Sequence, residues 1–329
     1  MLFSTLVQGQ VNRATKQTSS LGGKGQNFAF ATRQLYGHSD RVTLLQILGG
    51  TTGSQIEALE TSLGFDFITV PTQNATRICT TCLDAHTGQM TELVGISEPI
   101  EERVAEQYEK QAIELLKSES APMALALCGS SPPGLNPSCI ANIVSSRQPK
   151  KTVVFVDSAS GILPVLQTGC VDILKINSDE ITAIAKRFDA QFDASAKDHI
   201  VSAALLVSKT AYVNIVAVTD GPSKAYLVDS QKDQVYSFAI PDLLANKQHL
   251  LDGKTQDDGF GNLTLNPLGA GDTCSAVMLN LVVDGHEIVE AFAQGLAAAS
   301  ASCLVPMPNC VFDKQVSKRI RDMLLVTPI

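Results

Sequence analysis

Apolar residues recur along this chain with two alternating periods. Residues 26–36 carry them at helical spacing, with Phe28, Ala31 and Leu35 on one side. Residues 42–48 form a continuous apolar strand closed by Gly49-Gly50, and 55–63 read as the next helix. Residues 67–94 differ: short Thr- and Val-rich runs, broken at Thr72-Gln73-Asn74 and His86-Thr87-Gly88, predict two or three antiparallel strands in the manner of a lid. An amphipathic helix over 101–117 leads to the apolar strand 123–128. Further buried strands fall at 153–157 and 171–176, with helical stretches between. Residues 215–219 and 225–228 read as a strand pair near the end of the sheet. Residues 246–262 are polar and acidic and read as a flexible insertion. Helices over 273–283 and 286–304 close the core. Continuous apolar strands alternating with helices predict an α/β fold built on a mostly parallel sheet covered on both faces.

Composition narrows the classes. The 329 residues are 44% hydrophobic, enough for a substantial core, and are read as a single domain over 1–329. A net charge of −8 argues against a nucleic-acid partner, because phosphate backbones demand a basic face. Local donors can still bind a small anionic substrate. No apolar run reaches membrane-spanning length. The first residues read as neither a signal nor a transit peptide. The eight cysteines are scattered, as in a reducing, cytoplasm-like compartment. Cys79 and Cys82 have metal spacing, but they lie in a strand-like run where such positions face opposite sides, and no second pair completes a site.

Ligands of open parallel sheets gather at the carboxyl ends of the strands, and five turns there carry candidate chemistry. In Asn266-Pro267-Leu268-Gly269-Ala270-Gly271-Asp272-Thr273, glycines allow backbone N–H groups to line a concavity, and a helix start adds orphan donors and a positive dipole end. Asp272 there can accept a proton beside an anion hole; as an alternative it is merely the helix N-cap. Leu21-Gly22-Gly23-Lys24-Gly25-Gln26-Asn27 offers backbone donors, one charge and one amide, or is a plain helix-start turn. It is not a Walker P-loop. Cys128-Gly129-Ser130-Ser131-Pro132-Pro133-Gly134 is explained by a tight turn. Asn177 and Glu180 share a face at a helix start, as Mg²⁺ ligands or as a cap with its N3 partner. Val218-Thr219-Asp220-Gly221 can touch phosphates or simply turn the chain.

Taken in order, Gly-Gly-Lys-Gly-x-Asn, Ser-x-Pro-Pro-Gly, Asn-x-x-Glu, Thr-x-Gly and Gly-Ala-Gly-Asp resemble the ribokinase-like (PfkB) carbohydrate kinases over nearly the whole chain. The Pro-Pro-Gly turn and Asn74-Ala75-Thr76-Arg77 are most similar to the phosphofructokinase and tagatose-6-phosphate kinase branch. The resemblance implies an α/β sandwich with a small β lid made of segments at about 4–20 and 67–95. It implies ATP and Mg²⁺ as cofactors, with Asp272 as the base and Gly269, Ala270 and Gly271 as the anion hole for the γ-phosphoryl group. Asn177 and Glu180 would position Mg²⁺, while Lys175, Thr219 and Gly221 would lie near the nucleotide. Gly22, Gly23, Lys24 and Asn27 would hold the sugar, and Arg77 would grip a phosphate already on it. The partners implied are a sugar or sugar phosphate and ATP, with a homodimer through the lid. The alternatives are a free-sugar or nucleoside kinase and a catalytically weak sugar or nucleotide sensor.

The chain departs from the family pattern at its start. Family members open with a core strand ending in a sugar-binding Asp, whereas residues 1–20 match the lid segment after that strand, and the first acid is Asp40. The expectation is a missing strand and a missing acid, as from a truncated gene model or alternative start. Neighbouring strands would then keep unpaired edges, and the sugar would be poorly aligned with Asp272. An organellar compartment in place of the cytoplasm follows if the absent stretch carried a transit signal. Smaller departures are Ile176, where the branch has Pro, and the insertion around Gln256.

Overall fold

The computed structural model describes residues 1–252, 265–305 and 310–329. The first half runs β1 (Leu2–Phe3), α1 (Lys24–Tyr36), β2 (Thr43–Gly49), α2 (Gly50–Ser62), β3 (Asp66–Thr72), β4 (Cys79–Asp84), β5 (Met90–Val94) and α3 (Glu102–Lys117). The second half opens with β6 (Ala124–Cys128), α4 (Pro137–Ser145), β7 (Val153–Asp157), α5 (Ile162–Leu166), β8 (Ile173–Asn177), α6 (Ser178–Phe188), α7 (His199–Ala211) and β9 (Ile215–Asp220). It ends with β10 (Lys224–Asp229), β11 (Gln234–Ala239), α8 (Lys247–Leu250), α9 (Ala270–Val283), α10 (Ile288–Cys303), α11 (Lys314–Met323) and β12 (Leu325–Pro328).

The main sheet has the order β12-β11-β10-β9-β8-β7-β6. Strands β6 to β9 are parallel, and β10 to β12 finish the sheet with antiparallel pairings, β12 returning to β11 after α8 to α11. Alternate strand residues face opposite helical layers. Phe155, Ile173, Ile215 and Ala217 pack with α9 and α10, while Val154, Val156, Leu174 and Val218 pack with α5, α6 and α7. This double covering explains why those strands read as unbroken apolar runs.

Two smaller sheets complete the described fold. β1, β4 and β5 form one, with β4 and β5 antiparallel. β2 and β3 form the other and run parallel over seven register pairs. The reading of residues 67–94 as one antiparallel set is therefore corrected at β3. Its Val70 is fully buried in the cluster that α3 covers with Val104 and Ala112, so the strand belongs to an α/β layer despite its threonines. Helix α2 starts directly after β2 at Gly50, five residues before the expected Gln55. Of the expected insertion at 246–262, residues 253–262 lie outside the described residues; the part before them turns into α8, whose Leu250 is buried.

β6 pairs only with β7, and β2 only with β3, among the described residues. Their other edges line one cavity of about 1410 Å³, which agrees with the expectation of unpaired edges in the central layer.

Candidate active site

The turn before α9 builds the centre of the site. Asn266 Oδ1 accepts the Leu268 N–H, and Gly269 adopts φ 72°, a left-handed conformation that suits glycine. Gly269 is the N-cap, and both the N–H and the Oγ1 of Thr273 donate to its carbonyl. Asp272 is therefore not the cap. It occupies the first turn of α9, 7% exposed, and its Oδ2 accepts Asn27 Nδ2 at 2.7 Å. Burial pushes its carboxyl above the usual Asp range, and the Asp157 charge adds to this; Asn27, Lys24 and Lys175 pull the other way. Ala270 N–H is turned back to the Pro267 carbonyl at 3.2 Å, a long bond.

Asp157, at the end of β7, ties the site together, and no turn motif pointed to it. Its Oδ1 accepts Lys24 Nζ at 2.9 Å; its Oδ2 accepts Lys175 Nζ at 3.2 Å and Ser275 Oγ at 2.6 Å. Lys175 Nζ also donates to the Gly271 carbonyl at 3.1 Å, under the turn. Burial works against the charges of Asp157, Lys175 and Lys24 and is outweighed in all three. The Asp157 carboxyl is held below its usual range by Lys175 and Lys24. Lys175 is pushed up to about 12, mainly by Asp157. Lys24 is raised by the same partner. The only sequence signal for Asp157 was an acid closing an apolar parallel strand, where ligands gather.

The residues expected to hold the sugar, Gly22 apart, meet in the cavity. Gly23, Lys24, Asn27, Arg77, Gly269 and Asp272 all line it. Arg77 is exposed in the loop between β3 and β4 and has no ion pair among the described residues. That loop is pinned to the top of β2: Gly49 N–H donates to Thr76 Oγ1, and Thr76 N–H donates to the Gly49 carbonyl. A Cβ at Gly49 would lie 2.2 Å from the Asn74 carbonyl oxygen, so the loop can approach only a glycine there. The Pro132-Pro133-Gly134 turn packs on Ile100, whose N–H donates to the Pro133 carbonyl.

Of the residues expected near the nucleotide and Mg²⁺, Asn177, Thr219 and Gly221 stand at or just past the ends of the next two strands. Asn177 pairs in register with Thr219, and Gly221 follows with open space where a Cβ would be. Asn177 and Glu180 form a capping box: Asn177 Oδ1 accepts the Glu180 N–H at 2.8 Å, and Glu180 Oε2 accepts the Asn177 N–H at 3.1 Å. Thus the capping alternative is what these two residues display. Lys175 does not join this group; its ammonium points to Asp157 and α9. Gly22 lies outside the cavity lining, just before the Gly23 turn.

Comparison with known proteins gives one family. The profile described as pfkB family carbohydrate kinase matches residues 2–244. The chain is similar to tagatose-6-phosphate kinase of Staphylococcus epidermidis, 25% identical over 270 residues, covering 81% of this chain and 76% of that one. It is likewise similar to ATP-dependent 6-phosphofructokinase isozyme 2 of Escherichia coli, 25% identical over 293 residues, covering 89% and 84%. The solved structure of phosphofructokinase-2 from Escherichia coli in complex with substrates and products superposes with a TM-score of 0.79 at 23% identity, covering 98% and 94%.

Proposed function

The chain belongs to the pfkB family of carbohydrate kinases, phosphotransferases with a hydroxyl acceptor, and we propose that it transfers the γ-phosphoryl group of ATP to a sugar phosphate of the fructose- or tagatose-phosphate type. One observation carries this reading: a buried carboxyl, Asp272, is aimed by Asn27 into a cavity whose rim holds Arg77, which has no ion pair among the described residues.

In this account Asp272 accepts the proton of the attacking hydroxyl. Its raised pKa brings it closer to the basicity a general base needs, and such a base contributes roughly 10²–10⁴ in rate. Gly269, Ala270 and Gly271 present N–H groups and the dipole end of α9 to the charge growing on the transferred group. The long Ala270–Pro267 bond would yield its N–H for this task. Asp157 locks Lys24 and Lys175 beneath the turn and so fixes α9 against the sugar side. Thr219 and Gly221 lie where nucleotide phosphates would meet the strand ends.

Mg²⁺ fits the oxygen donors of Asn177 and Glu180. The capping box uses only one of Glu180's two carboxylate oxygens, and a single carboxylate with waters and phosphates suits this ion. When bound, the ion would offset phosphate charge.

Arg77 is the test of the substrate class. Arg77→Ala should raise KM for a phosphosugar at least tenfold, while a neutral sugar changes little; this corresponds to about 1.4 kcal/mol or more for a lost guanidinium–phosphate pair. Equal effects on both would favour the free-sugar or nucleoside kinase. A second reading, a weak sugar or nucleotide sensor, is favoured by the open cavity between β2 and β6 beside Asp272. It would bind nucleotide without sugar-dependent ADP release. A homodimer through the lid rests on exposed Ile78, Leu93, Val94 and Ile96 around the lid strands, and sedimentation over a concentration series tests it.

A further inference from the structure

Three side chains leave the first turn of α1, and each leads to a buried acid. Lys24 reaches Asp157 at the end of β7, and Asn27 reaches Asp272 in α9. Gln26 Nε2 donates to Gln46 Oε1 on β2 at 2.7 Å, and Gln46 Nε2 donates to Glu60 Oε2 on α2 at 2.6 Å. Gln26 and Gln46 line the cavity, whereas Glu60 lies beyond them, outside its lining.

Glu60 is an expensive residue where it stands. It is fully buried, and no cation pairs with it among the described residues. It falls in the last turn of α2, where the helix dipole disfavours an anion and no basic residue offsets it. Burial lifts its carboxyl above the usual Glu range, and the Glu57 charge adds to this; the amides of Gln46 and Gln26 pull the other way. Its Oε1 has no hydrogen-bond partner among the described residues. A leucine would be cheaper to bury there.

What the carboxyl supplies is direction. Its Oε2 is an acceptor, so the amide nitrogen of Gln46 must face it. Thr69 Oγ1, 3.4 Å from the same nitrogen, is a second acceptor for it. Gln46 Oε1 is thereby turned to Gln26, where only the amide nitrogen of Gln26 can meet it. Gln26 Oε1 is left on the Gly23 side, 2.6 Å from where a Gly23 Cβ would stand. Gly23 is the N-cap of α1, with φ 107°, and Gln26 occupies N3, the position from which a glutamine reaches back over the cap. An amide flipped at either glutamine would turn an NH₂ group to the cap instead. We propose that Glu60 is a positioning residue: through Gln46 and Gln26 it orients the turn at 23–27, and so places Lys24 and Asn27 against the substrate. It touches neither substrate nor reacting atoms. The substrate half of this inference rests on the proposed phosphotransfer; the hold on the turn does not.

Two substitutions on the full chain separate direction from bulk. Glu60→Leu removes the acceptor and keeps an apolar side chain in the space; Glu60→Gln keeps an acceptor oxygen. Amide hydrogen exchange reads the turn without any substrate. The Asn27 N–H, bonded to the Gly23 carbonyl at 2.9 Å, should exchange roughly fivefold or more faster in Glu60→Leu and near the parent rate in Glu60→Gln. Unchanged exchange in β8 and β9 shows that both variants are folded. In turnover, the phosphosugar KM should rise by a similar factor in Glu60→Leu, with the KM for ATP unchanged. Because the effect passes through Gln26, Glu60→Leu should add nothing once Gln26→Leu is in place. Unchanged Asn27 exchange in Glu60→Leu, equal damage by Glu60→Gln, or additive effects in the double variant would overturn the proposal. A parent chain without phosphosugar turnover would sink the phosphotransfer reading alone, since exchange still decides whether Glu60 holds the turn.

Discussion

Asp272 and Asp157 share one charge network but are shifted in opposite directions. Burial raises Asp272, and its active form is the ionised one, so kcat should fall as pH drops through that raised value. A pH profile of kcat should place the acid limb above the ordinary Asp value of about 3.9; a flat profile down to that value would contradict the assigned base. Asp157 is held low by Lys175 and Lys24, so its contribution to stability is fully present above the unfolded-state value and is lost as pH falls through the depressed one. Asp157→Ala leaves Lys175 buried without its counter-charge, and about 3–5 kcal/mol should be lost in denaturant unfolding. A loss under about 1 kcal/mol would show that water replaces the pair. Asp272 was legible in the sequence because its turn is local: glycines, an acid and an apolar helix within eight residues. Asp157 was not, because Lys24 reaches it from the start of α1 and Lys175 from the middle of β8, both distant in sequence.

At the level of elements, the sheet carries the site by stacking strand ends: β7 supplies Asp157, β8 Lys175 and Asn177, and β9 Thr219. The apolar runs made these strands legible, since burial on both faces leaves no other pattern. β3 was misplaced because its threonines and Pro71 hide the fact that Val70 sits under α3. Pairing partner is a property of the fold, and the strand's own residues do not encode it. The loop after β3 gives a direct test of positioning. Gly49→Ala would drive a Cβ to 2.2 Å from the Asn74 carbonyl oxygen and 2.4 Å from that of Thr72. Such a clash costs about 1–3 kcal/mol when the backbone must move. The expected effect is a higher KM for the sugar phosphate through displaced Arg77, with ATP affinity near the parent value. An unchanged KM would show that the loop does not set Arg77.

For the whole molecule, net negative charge coexists with a cavity that gathers Lys24 and Arg77, so local donors and not overall charge would decide which anions bind. No helix among the described residues is long and apolar enough to cross a membrane. The layered architecture was readable from periodicity, and the ordered turns led to the family. The separation of β2 and β3 from the larger sheet was anticipated only as unpaired edges. The central claim is that Asp272 drives transfer of phosphate from ATP to a phosphosugar. It is tested most directly by coupled ADP release with fructose- and tagatose-phosphates, for the parent chain and Asp272→Asn side by side. The account predicts phosphosugar-dependent release that falls by roughly 10²–10⁴ in the variant, with ATP binding retained; release that is equal in the two proteins would contradict it.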